Sequence, residues 1–154
     1  MSNGTLVLGL GNELLSDDGV GVHAVRRLQS EGLEGSVLLD GGTLGFALAG
    51  EVAEASGLVV LDAAALGAEP GSVAVFEGPE LDELLQGGGR DAHGAGLAQM
   101  LAGAKLVGGL PERRALVGIQ PDATGWGTTL TPAVAAALPA ACGRVRELLE
   151  GWAS

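Results

Sequence analysis

Two aspartates and a histidine stand where apolar segments of this chain end. Asp18 follows the run Thr5–Leu10 (TLVLGL), Asp62 closes Leu58–Leu61 within VVLDA, and His93 lies in RDAHGAG, residues 90–96. A buried strand that delivers a polar side chain at its carboxyl end is how α/β proteins assemble a site. Two carboxylates and one imidazole make a mixed oxygen and nitrogen set suited to a borderline divalent ion such as zinc or nickel, with coordination positions left for water or substrate. The three come from separate segments and carry no HExxH-type spacing, so the chain must fold before they can meet.

Each residue also has a plainer reading. Asp17 and Asp18 both precede a helix, where either can complement the positive end of its dipole. His93, in a glycine-rich loop, reads equally as a surface residue. Asp62 resists such a reading, because a carboxylate at the end of an apolar strand must find charge or hydrogen-bond partners. His23 sits on a helix beside Arg26 and Arg27 and reads as an exposed or rim residue. Cys142, within an alanine-rich segment, reads as a small packing residue, and Ser16 lacks the surroundings of a nucleophile elbow. Gly9-Leu10-Gly11 after a strand invites a dinucleotide reading, but the third glycine of that fingerprint falls at Leu14, and Asp17 and Asp18 place negative charge where a phosphate would sit. Asp40-Gly41-Gly42-Thr43 follows a strand as a turn with exposed amides, able to hold a peptide backbone or merely to reverse the chain.

The elements that must position these groups follow from the hydrophobic pattern. Strands are expected at Thr5–Leu10, Ser36–Asp40, Leu58–Leu61, Ser72–Phe76 and Ala115–Ile119. Helices are expected from Val20 to Leu28, Leu44 to Ala55, Glu80 to Gln86, Leu97 to Leu106, and from the Thr131-Pro132 start to about Leu149. Gly87-Gly88-Gly89 breaks the pattern. Strands alternating with helices predict an α/β fold: residues 1–154 as a single domain, a twisted, mostly parallel five-stranded sheet with helices on both faces.

Composition sets the outer bounds. The chain has 154 residues, 47% of them hydrophobic and only 3% aromatic, so one core of Leu, Val and Ala is expected. With 19 acidic against 8 basic residues the net charge is -11, which argues against nucleic acid or an anionic membrane as partner. The single cysteine, together with an opening stretch that lacks a charged and then apolar leader, predicts a cytoplasmic protein.

The segments LVLGLGNELLSDDGVGVHAV, LLDGGTLG, VVLDAAALGAEPG, HGAGLAQML, LVGIQP and LTPAV, in that order, resemble the maturation endopeptidases of nickel-iron hydrogenases over nearly the whole chain. That resemblance implies a largely parallel sheet flanked by helices and an enzyme that removes a short C-terminal extension from the hydrogenase large-subunit precursor after nickel insertion. It places the family's metal-contacting residues on Asp18, Asp62 and His93. The family position at Asp18 is commonly Glu, so this chain has the shorter carboxylate. The family's DGGT turn falls unchanged on Asp40, Gly41, Gly42 and Thr43, the implied substrate-binding segment. The implied nickel is the substrate's own, with zinc or cadmium able to take its place in vitro. On this reading the precursor's nickel-bearing end docks in the crevice, water attacks the nearby peptide bond, and the Gly87–Gly96 loop closes over it. Two rival readings use the same triad: a docking protein that holds the nickel site without cutting, and a metal-dependent hydrolase of small molecules.

Overall fold

The computed structural model describes residues 4–86 and 95–153. His93, Gly87-Gly88-Gly89 and most of the Gly87–Gly96 loop lie outside the described residues.

The apolar runs form the strands. β1 spans Thr5–Leu10, β2 Ser36–Gly42, β3 Gly57–Ala63, β4 Val73–Glu77 and β5 Arg113–Ile119. They make one five-stranded sheet in the order β2-β1-β3-β5-β4. β1 pairs in parallel with β2 and β3, and β3 with β5, while β4 runs antiparallel along β5. The exception has a simple cause: residues 64–72, between β3 and β4, contain no helix, and a parallel crossover needs a dozen or more residues and usually a helix.

Helices cover both faces, as expected. α1 (Val20–Glu31) and α5 (Pro132–Ala153) close one face over Val7, Val59, Leu61, Val117 and Ile119. α2 (Ala49–Glu54), α3 (Pro79–Gln86) and α4 (Ala95–Val107) close the other over Leu6, Leu8, Leu58, Val60 and Leu116. Alternate residues of each inner strand therefore serve opposite cores, so each carries a continuous apolar run: Leu6–Leu10, Leu58–Leu61 and Ala115–Ile119. Each such Leu or Val, fully buried, contributes roughly 1.5–3 kcal/mol relative to exposure.

Most elements extend one to three residues beyond the sequence pattern, β2 reaching Gly42 and α1 reaching Glu31, and two helices differ further. The helix expected from Leu44 to Ala55 is divided into a 3-10 turn at Gly45–Leu48 and the short α2. The first bonds here, Leu44 N to Gly41 O at 2.8 Å and Ala47 N to Leu44 O at 2.7 Å, reach three residues back and tighten the entry. The last helix runs past Leu149 to Ala153.

The glycines of the first unit fit helix to sheet. A Cβ at Gly21 would lie 2.5 Å from Leu10 O, and one at Gly9 would lie 2.8 Å from a Cγ of Val25. The backbone of α1 thus rests directly on β1 and β3, a contact that no larger residue permits.

Candidate active site

At their carboxyl ends β1 and β3 lie side by side, and the connection that leaves β1 and the one that leads into β3 cover opposite faces of the sheet. β1 leads into α1 on one face, whereas β2 returns to β3 through α2 on the other. A crevice opens at such a switch point. Asp18 enters it from the 3-10 turn Ser16–Gly19 that follows β1, and Asp62 from the penultimate position of β3, paired in register with Gly118. Both line one cleft of about 170 Å3, with Leu10, Gly11, Asn12, Gly42, Thr43, Gly45 and Leu97 as the other walls.

The two carboxylates are held differently. Asp18 Oδ2 accepts the backbone N–H of Asn12 at 2.9 Å. Asp62 is 6% exposed, and among the described residues its only hydrogen-bond donor is the N–H of Ala63, 2.9 Å from Oδ1. Burial pushes the Asp62 carboxyl up to about 7, the Asp18 charge adds to the rise, and the Ala63 N–H opposes it. An under-bonded carboxylate, desolvated and facing a like charge, is costly by itself and becomes favourable when a cation or proton joins the pair. Such perturbed groups gather at functional sites. Among the described residues no set of three or more His, Cys, Asp or Glu side chains could hold a metal ion. The pair alone leaves most of an ion's coordination to other groups.

Asp40–Thr43 is not the turn expected from sequence: Asp40, Gly41 and Gly42 close β2, with a register shift opposite Gly9 and Leu10, and the segment meets the same cleft by one end only. Gly42 and Thr43 line it, and Gly42 O accepts the N–H of Gly11 at 2.9 Å, joining the end of β2 to the residues that follow β1. Gly41 packs toward the core, where a Cβ would come within 2.8 Å of Leu48 Cδ1. Asp40 instead lines a neighbouring cleft of about 210 Å3 that shares Gly11, Asn12, Gly42 and Thr43 with the first. Its Oδ2 accepts Arg26 Nη2 at 2.8 Å and Nε at 3.2 Å, and Arg26 also reaches Glu13 Oε2 at 2.6 Å. The two clefts adjoin across these shared residues, with the paired carboxylates in one and Asp40 and Glu13 of the ion cluster in the other.

Asp17 departs from the helix-dipole reading. It is fully buried and lies outside α1, its carboxylate turned onto the segment before α5. Oδ2 accepts Asp122 N at 2.9 Å, Ala123 N at 3.1 Å and Thr131 Oγ1 at 2.7 Å, and Oδ1 accepts Thr131 N at 2.8 Å. Burial raises its proton affinity, but the donors from Thr131, Ala123 and Asp122 outweigh it and hold the carboxyl below the ordinary value. No local pattern announces this, since the partners lie more than a hundred residues away. Asn12, a wall of both clefts, was also missed; its place between two glycine-lined turns was the one available signal.

The remaining candidates fall as expected or nearly so. Cys142 is buried, its Sγ 3.6 Å from Ala24 O, in a packing position on α5. His23 is half-buried, at the rim as one of its two expected placements, and its Nε2 is buried with no partner among the described residues.

Residues 22–147 match the profile of the HycI hydrogenase maturation protease family. The chain is 38% identical to the hydrogenase expression/formation protein HupD of Rhizobium leguminosarum bv. viciae, over 96% of this chain and 74% of that one. It is 33% identical to the hydrogenase 2 maturation protease of Escherichia coli K12, over 91% of this chain and 87% of that one. Among solved structures, the hydrogenase maturating endopeptidase HybD from Escherichia coli superposes with a TM-score of 0.83 at 30% identity, covering 98% of this chain and 93% of the other. The chain belongs to the hydrogenase maturation protease family and is an endopeptidase, a hydrolase of peptide bonds.

Proposed function

We propose that this endopeptidase removes the C-terminal extension of a nickel-iron hydrogenase large-subunit precursor once nickel is in place, and that it recognises the nickel itself. The observation that carries this reading is the meeting of Asp18 and Asp62 in one cleft, with Asp62 buried and short of hydrogen bonds. The nickel-bearing end of the precursor docks there, and its charge stabilises both carboxylates. His93 is the third contact in this proposal. Gly42 and Thr43 hold the backbone of the scissile segment, which runs on toward Asp40 over the residues the two clefts share. Water adds to the peptide carbonyl carbon, the carbon–nitrogen bond breaks, and the proton released from water passes to the departing amine. Zinc or cadmium takes the place of nickel in vitro.

The reaction belongs in the cytoplasm, with the precursor as macromolecular partner. No described helix is long and apolar enough to cross a membrane, and the net charge of -11 disfavours nucleic acid and anionic lipid.

The test follows the mass of a precursor carrying its extension, with and without nickel, after mixing with this protein. Shortening only in the nickel-loaded form is expected. No shortening in either form refutes the proposal for that precursor. His93→Ala should abolish processing while leaving the fold intact, and undiminished processing would remove His93 from the site.

A further inference from the structure

The carboxylate in the cleft owes little of its placement to its own bonds. Asp18 accepts the N–H of Asn12, and its own N–H reaches Leu15 O at 3.1 Å within the turn. β3 and α1 pack against the turn as well, but the remaining hydrogen bonds of Ser16 and Asp17, apart from the one that Asp17 O accepts from Val20 N–H, run to one distant segment. Ser16 donates its N–H to Gly127 O at 2.8 Å and its hydroxyl to Gly125 O at 2.9 Å. Leu15 forms a bridge with Gly127, and Asp17 N donates to Ala123 O at 3.0 Å. The Asp17 carboxylate then takes donors from Asp122, Ala123 and Thr131.

These ties work against local preference. Ser16 has φ +51°, a left-handed conformation that a non-glycine residue holds only when its surroundings over-determine it. The bonds to segment 122–131 hold Ser16 in that conformation, two residues before Asp18. Consecutive aspartates thus divide the work: one is spent inside the protein so that the next is fixed in the cleft.

We propose that Asp17 is a positioning residue for the peptidase reaction: its buried carboxylate keys the 122–131 segment onto the Ser16–Gly19 turn and thereby sets the reach of Asp18 toward the substrate's cation. This rests on Asp18 belonging to the site proposed above. The arrangement predicts effects on the bound state and the rate rather than on stability alone.

The experiment compares Asp17→Asn, Thr131→Val, Asp18→Asn and Val145→Ala at a temperature where all are folded by circular dichroism. Asp17→Asn keeps the shape but sets an amide against donors. Thr131→Val deletes one donor and retains its backbone N–H. Val145→Ala opens the core under α5 without touching the turn, and so controls for lost stability. The readouts are kcat and KM on nickel-loaded precursor, and cadmium affinity of the free protein by calorimetry. Misplacing one ligand by a fraction of an ångström should lower kcat about 10- to 100-fold with KM nearly constant in Asp17→Asn, and weaken cadmium binding about 10-fold. Thr131→Val should fall between Asp17→Asn and wild type, and Val145→Ala should match wild type in both. Unchanged kcat and cadmium affinity in folded Asp17→Asn overturn the proposal; if that variant does not fold, the same result in Thr131→Val does so. Asp18→Asn separates the two levels. If it loses processing while Asp17→Asn keeps it, positioning alone fails. If Asp18→Asn processes normally, the site assignment and the positioning proposal fail together.

Discussion

Replacing Asp62 with Asn should stabilise this protein, by an amount that depends on pH. In the folded state its carboxyl sits at about 7 against an ordinary 3.8, chiefly through burial and secondarily through the Asp18 charge. The folded protein therefore holds this proton more tightly than the unfolded chain does. Between those two values the folded state carries one more proton than the unfolded state, so stability falls as pH rises, by up to about 1.4 kcal/mol per pH unit. Below the lower value both states are protonated and there is no penalty; above about 7 the penalty is complete. Because the sequence pI is about 4.4, the practical window runs upward from pH 5. From pH 5 to the folded value is two units, so the penalty that accumulates by pH 8 is about 3 kcal/mol at most. Asn at position 62 titrates in neither state. Urea denaturation of both proteins at half-unit steps should show the variant gaining on wild type by up to that amount, most steeply between pH 5 and 7. Nickel-dependent processing should be lost in the same variant. Stability curves for the two proteins that stay parallel within about 0.5 kcal/mol across the window would refute the reasoning, because a buried, like-charged carboxylate cannot titrate without leaving that trace.

Other consequences can be checked with single substitutions. Gly21→Ala drives a methyl into the carbonyls of Leu10 and Leu61 and should cost about 3 kcal/mol or more in urea unfolding; a loss below about 1 kcal/mol would mean that α1 can lift from the sheet without penalty. Arg26→Ala removes the exposed pairs with Glu13 and Asp40 and should change stability by about 1 kcal/mol or less, so a larger loss would show that the cluster fixes the Asp40–Thr43 segment. Burial pushes the Cys142 thiol up, so a thiol reagent should label the native protein only at its opening rate, and rapid native labelling would contradict the packing under α5.

The alternation of buried runs with helical spacing was sufficient for the sheet, the helices on both faces, and the strand ends where Asp18 and Asp62 emerge. Such patterns are local, and burial on both faces leaves continuous apolar runs in β1, β3 and β5 (Leu6–Leu10, Leu58–Leu61 and Ala115–Ile119), so the sequence alone carried that much. It also carried the family, through six short segments in a fixed order. The antiparallel return of β4 followed from the length of a connection, and the division of the 44–55 helix from turns that begin at Gly41. Tertiary structure alone decided the difference between the adjacent aspartates. In sequence Asp17 and Asp18 are one chemical type beside one helix start; in space one meets Asp122, Ala123 and Thr131, and the other meets Asp62 across a cleft. A carboxylate's role is set by what neutralises it, and here those partners are distant in the chain and close only after folding.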